Sequence, residues 1–152
     1  MNLNATDIKI LRLLQKDGRA TNVEIAKKTH MSPAACHTRL HKILKSGIVQ
    51  KIKAILNPAA LGLEATVIVG VILDRSTKDS FSEFEAAIKK ISIIEECYLV
   101  AGDVDYFFKI RVKNINAFND FHAKNIINFP GVRQVRSFFV LKPIKEYGDL
   151  VI

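Results

Sequence analysis

Residues 21–47, TNVEIAKKTHMSPAACHTRLHKILKSG, read as two short helices joined by a tight turn. The first opens on Thr21 and Glu24, which stand at capping-box spacing, and runs to about Thr29. His30 and Met31 form the turn. The second opens on Ser32, a favourable N-cap, with Pro33 at the first helical position, where a missing N–H costs nothing. Gly47 ends it as a residue tolerant of the left-handed conformation. Between these signals Cys36, Leu40, Ile43 and Leu44 recur at helical spacing and predict one apolar face. At about 100° per residue, Ala34, Thr38, His41, Lys42 and Lys45 fall on the opposite side. A short capped helix with one apolar side and one small, polar, basic side suits the major groove of DNA.

Upstream, Thr6 to Lys16 predicts a helix with Ile8, Ile10, Leu11, Leu13 and Leu14 on a broad apolar face, ended by Asp17-Gly18. Three helices with short connections can share a small core, as a helix-turn-helix domain does. Downstream, IVQKIKAIL (residues 48–56) is β-branched and alternates, which predicts a strand, either a wing or an arm leaving the domain. Asn57-Pro58 breaks that pattern, so the expected domains are 1–60 and 61–152. Charge divides the same way. Residues 1–60 hold 11 Lys and Arg against 3 Asp and Glu, whereas residues 61–152 hold 12 of each. The whole excess of +8 therefore lies beside the two-helix motif, as expected of a polyanion-binding module joined to a domain with another task.

The second half alternates in type. Ala65 to Leu73 predicts a strand, Ser80 to Ile91 a helix, Ile93 to Ala101 a strand, Gly102 to Asp105 a turn and Tyr106 to Val112 a strand. Ile115 to Phe129 predicts a helix stopped by Pro130-Gly131, and Val132 to Lys142 the last strand. This β-α-β-β-α-β order is the ferredoxin-like unit, and the chain as a whole is α+β, with a winged-helix-like N-terminal domain. The first and last strands are nearly continuous in apolar residues, although helices can cover only one face of such a sheet. A second copy of the chain, sheet against sheet, is the economical cover, so a homodimer is expected.

Other features narrow the function. There is no 18-residue apolar run and the N-terminus lacks an apolar leader segment, so a cytoplasmic protein with no membrane partner is expected. Cys36 and Cys97 are far apart and read as small buried hydrophobes. Glu95, Glu96, Asp103 and Asp105 form an acidic cluster, but Glu95 and Glu96 should point to opposite strand faces, and no catalytic or phosphate-binding motif accompanies them. His30, His37 and His41 resemble a metal set only superficially, because two of them lie on the helix suited to DNA. No enzyme activity, metal or cofactor is expected. His122, on the same side of the last helix as Phe118, Phe121, Asn125 and Phe129, reads as a helix–sheet contact.

Several pieces recur together: Leu11–Gly18 (LRLLQKDG), Asn22–Ala26 (NVEIA), Ser32-Pro33, Ser46–Val49 (SGIV), Asn57-Pro58, Gly102–Tyr106 (GDVDY) and Pro130-Gly131-Val132. In this order and at these separations, the chain strongly resembles the Lrp/AsnC, or feast/famine, transcriptional regulators. The resemblance implies a dimer that assembles into octamers, binds double-stranded DNA in the nucleoid, and responds to an amino acid such as leucine or methionine. It implies DNA contacts along the second helix and its approach, at Asn22, Ser32, Pro33, Ala34, His37, Thr38, Arg39, His41, Lys42 and Lys45. It also implies an effector site at Gly102, Asp103, Val104, Asp105 and Tyr106. The residues themselves are compatible with that site. Gly102 allows close backbone approach, free N–H groups could hold a carboxylate, and Asp103 or Asp105 could accept from an ammonium group. An ordinary hairpin turn whose Asp caps its own backbone fits them as well. A DNA-binding architectural protein with no small-molecule ligand would share every feature except this turn.

Overall fold

A computed structural model describes residues 2–74 and 79–152. The chain forms two compact units, one of residues 2–55 with 145–152 and one of residues 56–144. The terminal segment thus joins the first unit, whereas the sequence groups it with residues 61–152.

The first unit is built on α1 (Ala5–Lys16), α2 (Asn22–Thr29) and α3 (Pro33–Lys45). Each begins on a side-chain cap. Asn4 and Asp7 form a capping box at α1, Thr21 and Glu24 another at α2, and Ser32 Oγ accepts from Ala35 N at 3.2 Å at α3. Between α2 and α3 the backbone turns at His30, which adopts the left-handed conformation (φ 56°) while Met31 N donates to Ala26 O at 2.9 Å. Ile10, Leu11, Ile25, Ala26, Cys36 and Ile43 close the shared core. Leu44, predicted on the apolar face of α3, is instead exposed, because the small core is already filled by Ile43 and Leu40 one turn away.

Residues 48–56 belong to no strand, which corrects the strand predicted there. A strand needs a ladder partner, and the described residues of this chain supply none; Ile52, Ile55 and Leu56 remain exposed.

The second unit carries an antiparallel sheet in the order β2-β3-β1-β4, from β1 (Ala65–Leu73), β2 (Ile94–Leu99), β3 (Tyr106–Val112) and β4 (Val132–Phe139). With α4 (Ser80–Ile88) and α5 (Ile115–Lys124) it is the expected ferredoxin-like order. Val67, Val69 and Val71 face Ile110, Phe108 and Tyr106 across the β1–β3 pair and are buried with Phe84, Phe118 and Phe121 of the helices. The alternate residues Ile68, Phe107 and Phe138, which share the opposite face, are half-buried or exposed.

Four elements fall short of their predictions, among them β2, which is Ile94–Leu99 where the sequence predicts Ile93 to Ala101. α4 stops at Ile88 because Lys90 N and Ile91 N turn to carbonyls three residues back in a tightened last turn. α5 ends before Asn125, whose side chain bonds Phe121 O, and a 3₁₀ turn (Ile126–Asn128) follows, with Asn128 Nδ2 on Lys124 O. β4 ends at Phe139, with Val140 N still donating to Thr66 O of β1 at 2.9 Å.

Candidate nucleic-acid interface and effector turn

Cys36 and Ile43 point into the three-helix core, so the opposite side of α3 is presented outward. Ser32, Pro33, Ala34, His37, Thr38, His41, Lys42 and Lys45 are all exposed there. The rings of His37 and His41 lie nearly parallel, 14° apart, with centroids 6.3 Å from each other. Thr38 Oγ1 donates back to Ala34 O at 3.1 Å. Thr38, His41, Lys42 and Lys45 line one side of an open groove whose other side carries Asn2, Asn4 and Met31.

Two residues expected at DNA are engaged within the protein. Arg39 Nη1 donates to Asp7 Oδ1 at 2.9 Å and to Asn4 Oδ1 at 2.8 Å, so its guanidinium fastens α3 to the N-terminus of α1. Asn22 Nδ2 donates to Pro33 O at 2.9 Å and ties the start of α2 to the start of α3. Both position the reading helix. The signal for Arg39 was Asp7, a carboxylate in the first turn of α1, but no spacing in the sequence announces a contact between residues so far apart.

In the second unit, the turn between β2 and β3 borders a cleft of about 390 Å³ lined by Ile72, Leu73, Asp74, Gly102, Asp103, Asp105 and Arg133. Gly102 has φ +149°, a backbone conformation that side-chain-bearing residues rarely adopt. Among the described residues, the N–H groups of Gly102, Asp103 and Val104 donate to no acceptor. The five residues of the turn have different environments. Asp103 is exposed and pairs with Arg136 at 3.2 Å. Asp105 is buried, and its Oδ2 accepts from Leu73 N at 2.8 Å, while its own N–H donates to Val71 O. Val104 is buried and is not among the lining side chains. Tyr106 turns into the helix-covered core, where its hydroxyl donates to Glu85 Oε1 at 2.8 Å. Burial, reinforced by Glu85, pushes the Tyr106 hydroxyl well above the ordinary tyrosine range.

Glu95 and Glu96, expected on opposite faces, both reach Lys109 Nζ, at 3.7 and 2.5 Å, and Glu95 also meets Arg111 at 2.7 Å. The register of β2 against β3 shifts between Ile94 and Glu96, and this bulge re-aims one side chain. The carboxylates are neutralised by cations across the strand pair. Among the described residues no cluster of three or more His, Cys, Asp or Glu could hold a metal. No helix of the described residues is long and apolar enough to cross a membrane.

Comparison with known proteins gives two matched regions. The Lrp/AsnC ligand binding domain matches residues 66–150, and a winged helix-turn-helix DNA-binding domain matches residues 3–50. The leucine-responsive regulatory protein of Salmonella typhimurium is 38% identical over 151 residues, covering 99% of this chain and 92% of that protein. Among solved structures, a transcriptional regulator from Neisseria meningitidis in complex with L-Met superposes with a TM-score of 0.91 at 35% identity, over 95% of this chain and 94% of that one. An AsnC family transcriptional regulator from Agrobacterium tumefaciens also reaches 0.91, at 28% identity, over 98% and 97% of the two chains.

Proposed function

The chain belongs to the Lrp/AsnC family of DNA-binding transcriptional regulators, with an amino-acid ligand-binding domain, and we propose how its own residues divide that work. α3 enters the major groove. Lys42, Lys45 and His41 meet phosphates, His37 and Thr38 face base edges, with the Thr38 methyl available to a thymine, and Ser32, Pro33 and Ala34 allow close approach. Arg39 and Asn22 hold this helix in place. The observation that carries the reading is the exposed polar and basic side of α3, set in the segment, residues 1–60, that holds the chain's entire excess charge. Replacing Lys42 or Lys45 with Ala weakens DNA binding and lowers the salt slope by about one counterion each. An unchanged slope removes that lysine from the interface.

The effector is a free amino acid, with methionine and leucine the first candidates, given the L-Met complex of the Neisseria regulator and the leucine-responsive relatives. The cleft beside Gly102 is at the small end of ligand pockets. Its lining supplies the unbonded N–H groups of Gly102 and Asp103 and the side chain of Arg133 for a carboxylate, and the exposed Asp103 for an ammonium group. Asp105 shapes the turn from behind, and Val104 and Tyr106 anchor it in the core. Calorimetry of the protein against the twenty amino acids tests this, with loss of heat in Asp103→Ala expected. No heat with any amino acid would support an architectural DNA-binding protein instead.

The working form is a homodimer, assembling further to an octamer, in the cytoplasm on the nucleoid. Two apolar surfaces of a single chain support self-association: the sheet face carrying Ile68, Phe107 and Phe138, and the unpaired residues 48–56.

A further inference from the structure

Residues 145–152 follow the sheet of the sensing unit in sequence but belong to the DNA-binding unit. Their hold on α1 is specific. The Gln15 side-chain amide pairs with the Leu150 backbone in both directions, Oε1 accepting from Leu150 N at 2.7 Å and Nε2 donating to Leu150 O at 3.1 Å. One turn earlier, Arg12 Nε donates to Ile152 O at 2.7 Å, and Arg12 Nη2 donates to the same oxygen. Leu150 and Ile152 border an apolar cleft of about 570 Å³ together with Ile8, Leu14, Ile48 and Ile52. Ile52 sits so closely over Gly18 that a Cβ there would stand 2.9 Å from Ile52 Cγ2.

The cleft therefore receives both the segment that leads out of the DNA-binding unit, residues 48–55, and the segment that returns to it. Residues 48–55 and 145–152, the two segments that flank residues 56–144 in the chain, thus meet within the first unit. Leu150 and Val151 keep their side chains largely in solvent, as suits a segment that opens locally.

We propose that residues 145–152 are a releasable strap, docked on Arg12 and Gln15, through which the liganded state of the sensing unit reaches the helix-turn-helix unit. This rests on the effector reading above. A single connection at residues 55–56 would let the two units respond independently. A second one, closed by docking, makes any displacement of Ile144 act on α1, and α1 carries Asn4 and Asp7, which hold Arg39 of the reading helix.

Hydrogen exchange of the full chain, with and without L-methionine, tests this in the wild type, in Gln15→Ala, and in Leu150→Pro, which removes the accepted N–H without touching α1. Amides of residues 145–152 are expected to exchange about tenfold more slowly in the wild type than in either variant. Methionine is expected to alter exchange at Gly102–Tyr106 in all three proteins, but at α1 and the tail in the wild type only. Equal tail exchange in wild type and variants overturns the docking. A methionine effect on α1 that survives in both variants overturns the strap. No methionine response at Gly102–Tyr106 in any of them refutes the effector reading and the strap's signalling with it, while the docking stands or falls on tail protection alone.

Discussion

Arg39 lies on the reading helix, yet its guanidinium is fixed by two oxygens of the α1 capping box, one on Asn4 and one on the buried Asp7. Removing it leaves the Asp7 carboxylate buried with only its capping partner. Because Arg39 is itself about a third exposed, the cost is the discounted value for a screened pair, about 1 kcal/mol. Arg39→Ala should therefore lower the thermal midpoint by a few degrees while leaving the salt slope of DNA binding unchanged, the reverse of Lys42→Ala. Measured side by side, the two variants separate positioning from phosphate contact. Asp105 poses the same question at the other site. Its carboxylate satisfies the buried N–H of Leu73, so Asp105→Ala should cost about 2 kcal/mol in urea unfolding, beyond any effect on a ligand. Asp103→Ala, on an exposed side chain, should leave the urea midpoint in place and change only amino-acid binding. An Asp105→Ala protein as stable as the wild type would show that the turn does not depend on that bond.

At the scale of elements, what the sequence announces and what it hides follow from how local each cause is. β1 and β3 end where their apolar residues give way to Asp74 and Lys113, and α3 begins at Pro33 because Ser-Pro is a complete local signal. The arm at residues 48–56 has a strand's alternation without a strand's partner, and alternation cannot report whether a ladder neighbour exists. The bulge that brings Glu95 and Glu96 to one lysine is likewise a pairing property of two strands. The turn at Gly102–Tyr106 was legible as a glycine-aspartate hairpin; that Asp105 faces inward and Asp103 outward was not, since it depends on Leu73 N across the sheet. The β2–β3 region also sets a pH response. For Lys109, desolvation, the largest influence, lowers its pKa, but the hydrogen bond and charge of Glu96, with Glu95, outweigh it and raise it above the ordinary value of 10.5. Tyr106 is raised above 10.0, by burial first and Glu85 second. Both groups hold their protons more tightly folded than unfolded. Their stabilisation is thus complete below about pH 10 and is lost as pH rises from there through the folded values. The urea midpoint should fall between pH 9 and pH 11, and less steeply in Tyr106→Phe, which starts lower at pH 9 for want of the Glu85 bond. A Tyr106→Phe protein that falls as steeply as the wild type would assign the alkaline loss to other groups.

For the whole molecule, the decisive quantity is the apolar surface that one chain leaves open. On the sheet face away from the helices, Phe138 stands opposite Ile68 and Phe107 opposite Gly70, whose missing side chain lets the Phe107 ring lie within about 3 Å of where a Cβ would be. Phe138 is 50% exposed and Tyr98 57%, on a face whose charges, Lys109 and Arg111 with Glu95 and Glu96, are already paired within the chain. A flat, apolar face with internally neutralised charge can meet its own copy without leaving cations buried alone. The net charge argues in the same direction. The first unit's excess of +7, 12 Lys and Arg against 5 Asp and Glu, would repel a second copy placed helix to helix, whereas the second unit carries only +1. In the proposed dimer, association through the sheets would keep the basic units available to two half-sites of DNA. Phe138→Glu sets a carboxylate in the centre of the proposed contact but in solvent for a lone chain, so helix content and thermal midpoint of the monomer should change little. Light scattering should then give a dimer or larger for the wild type and a monomer for Phe138→Glu at the same concentration. DNA affinity should fall together with the loss of the second reading helix, while Lys42 and Lys45 are untouched. A Phe138→Glu protein that remains dimeric would rule out the sheet face and turn attention to the unpaired arm at residues 48–56.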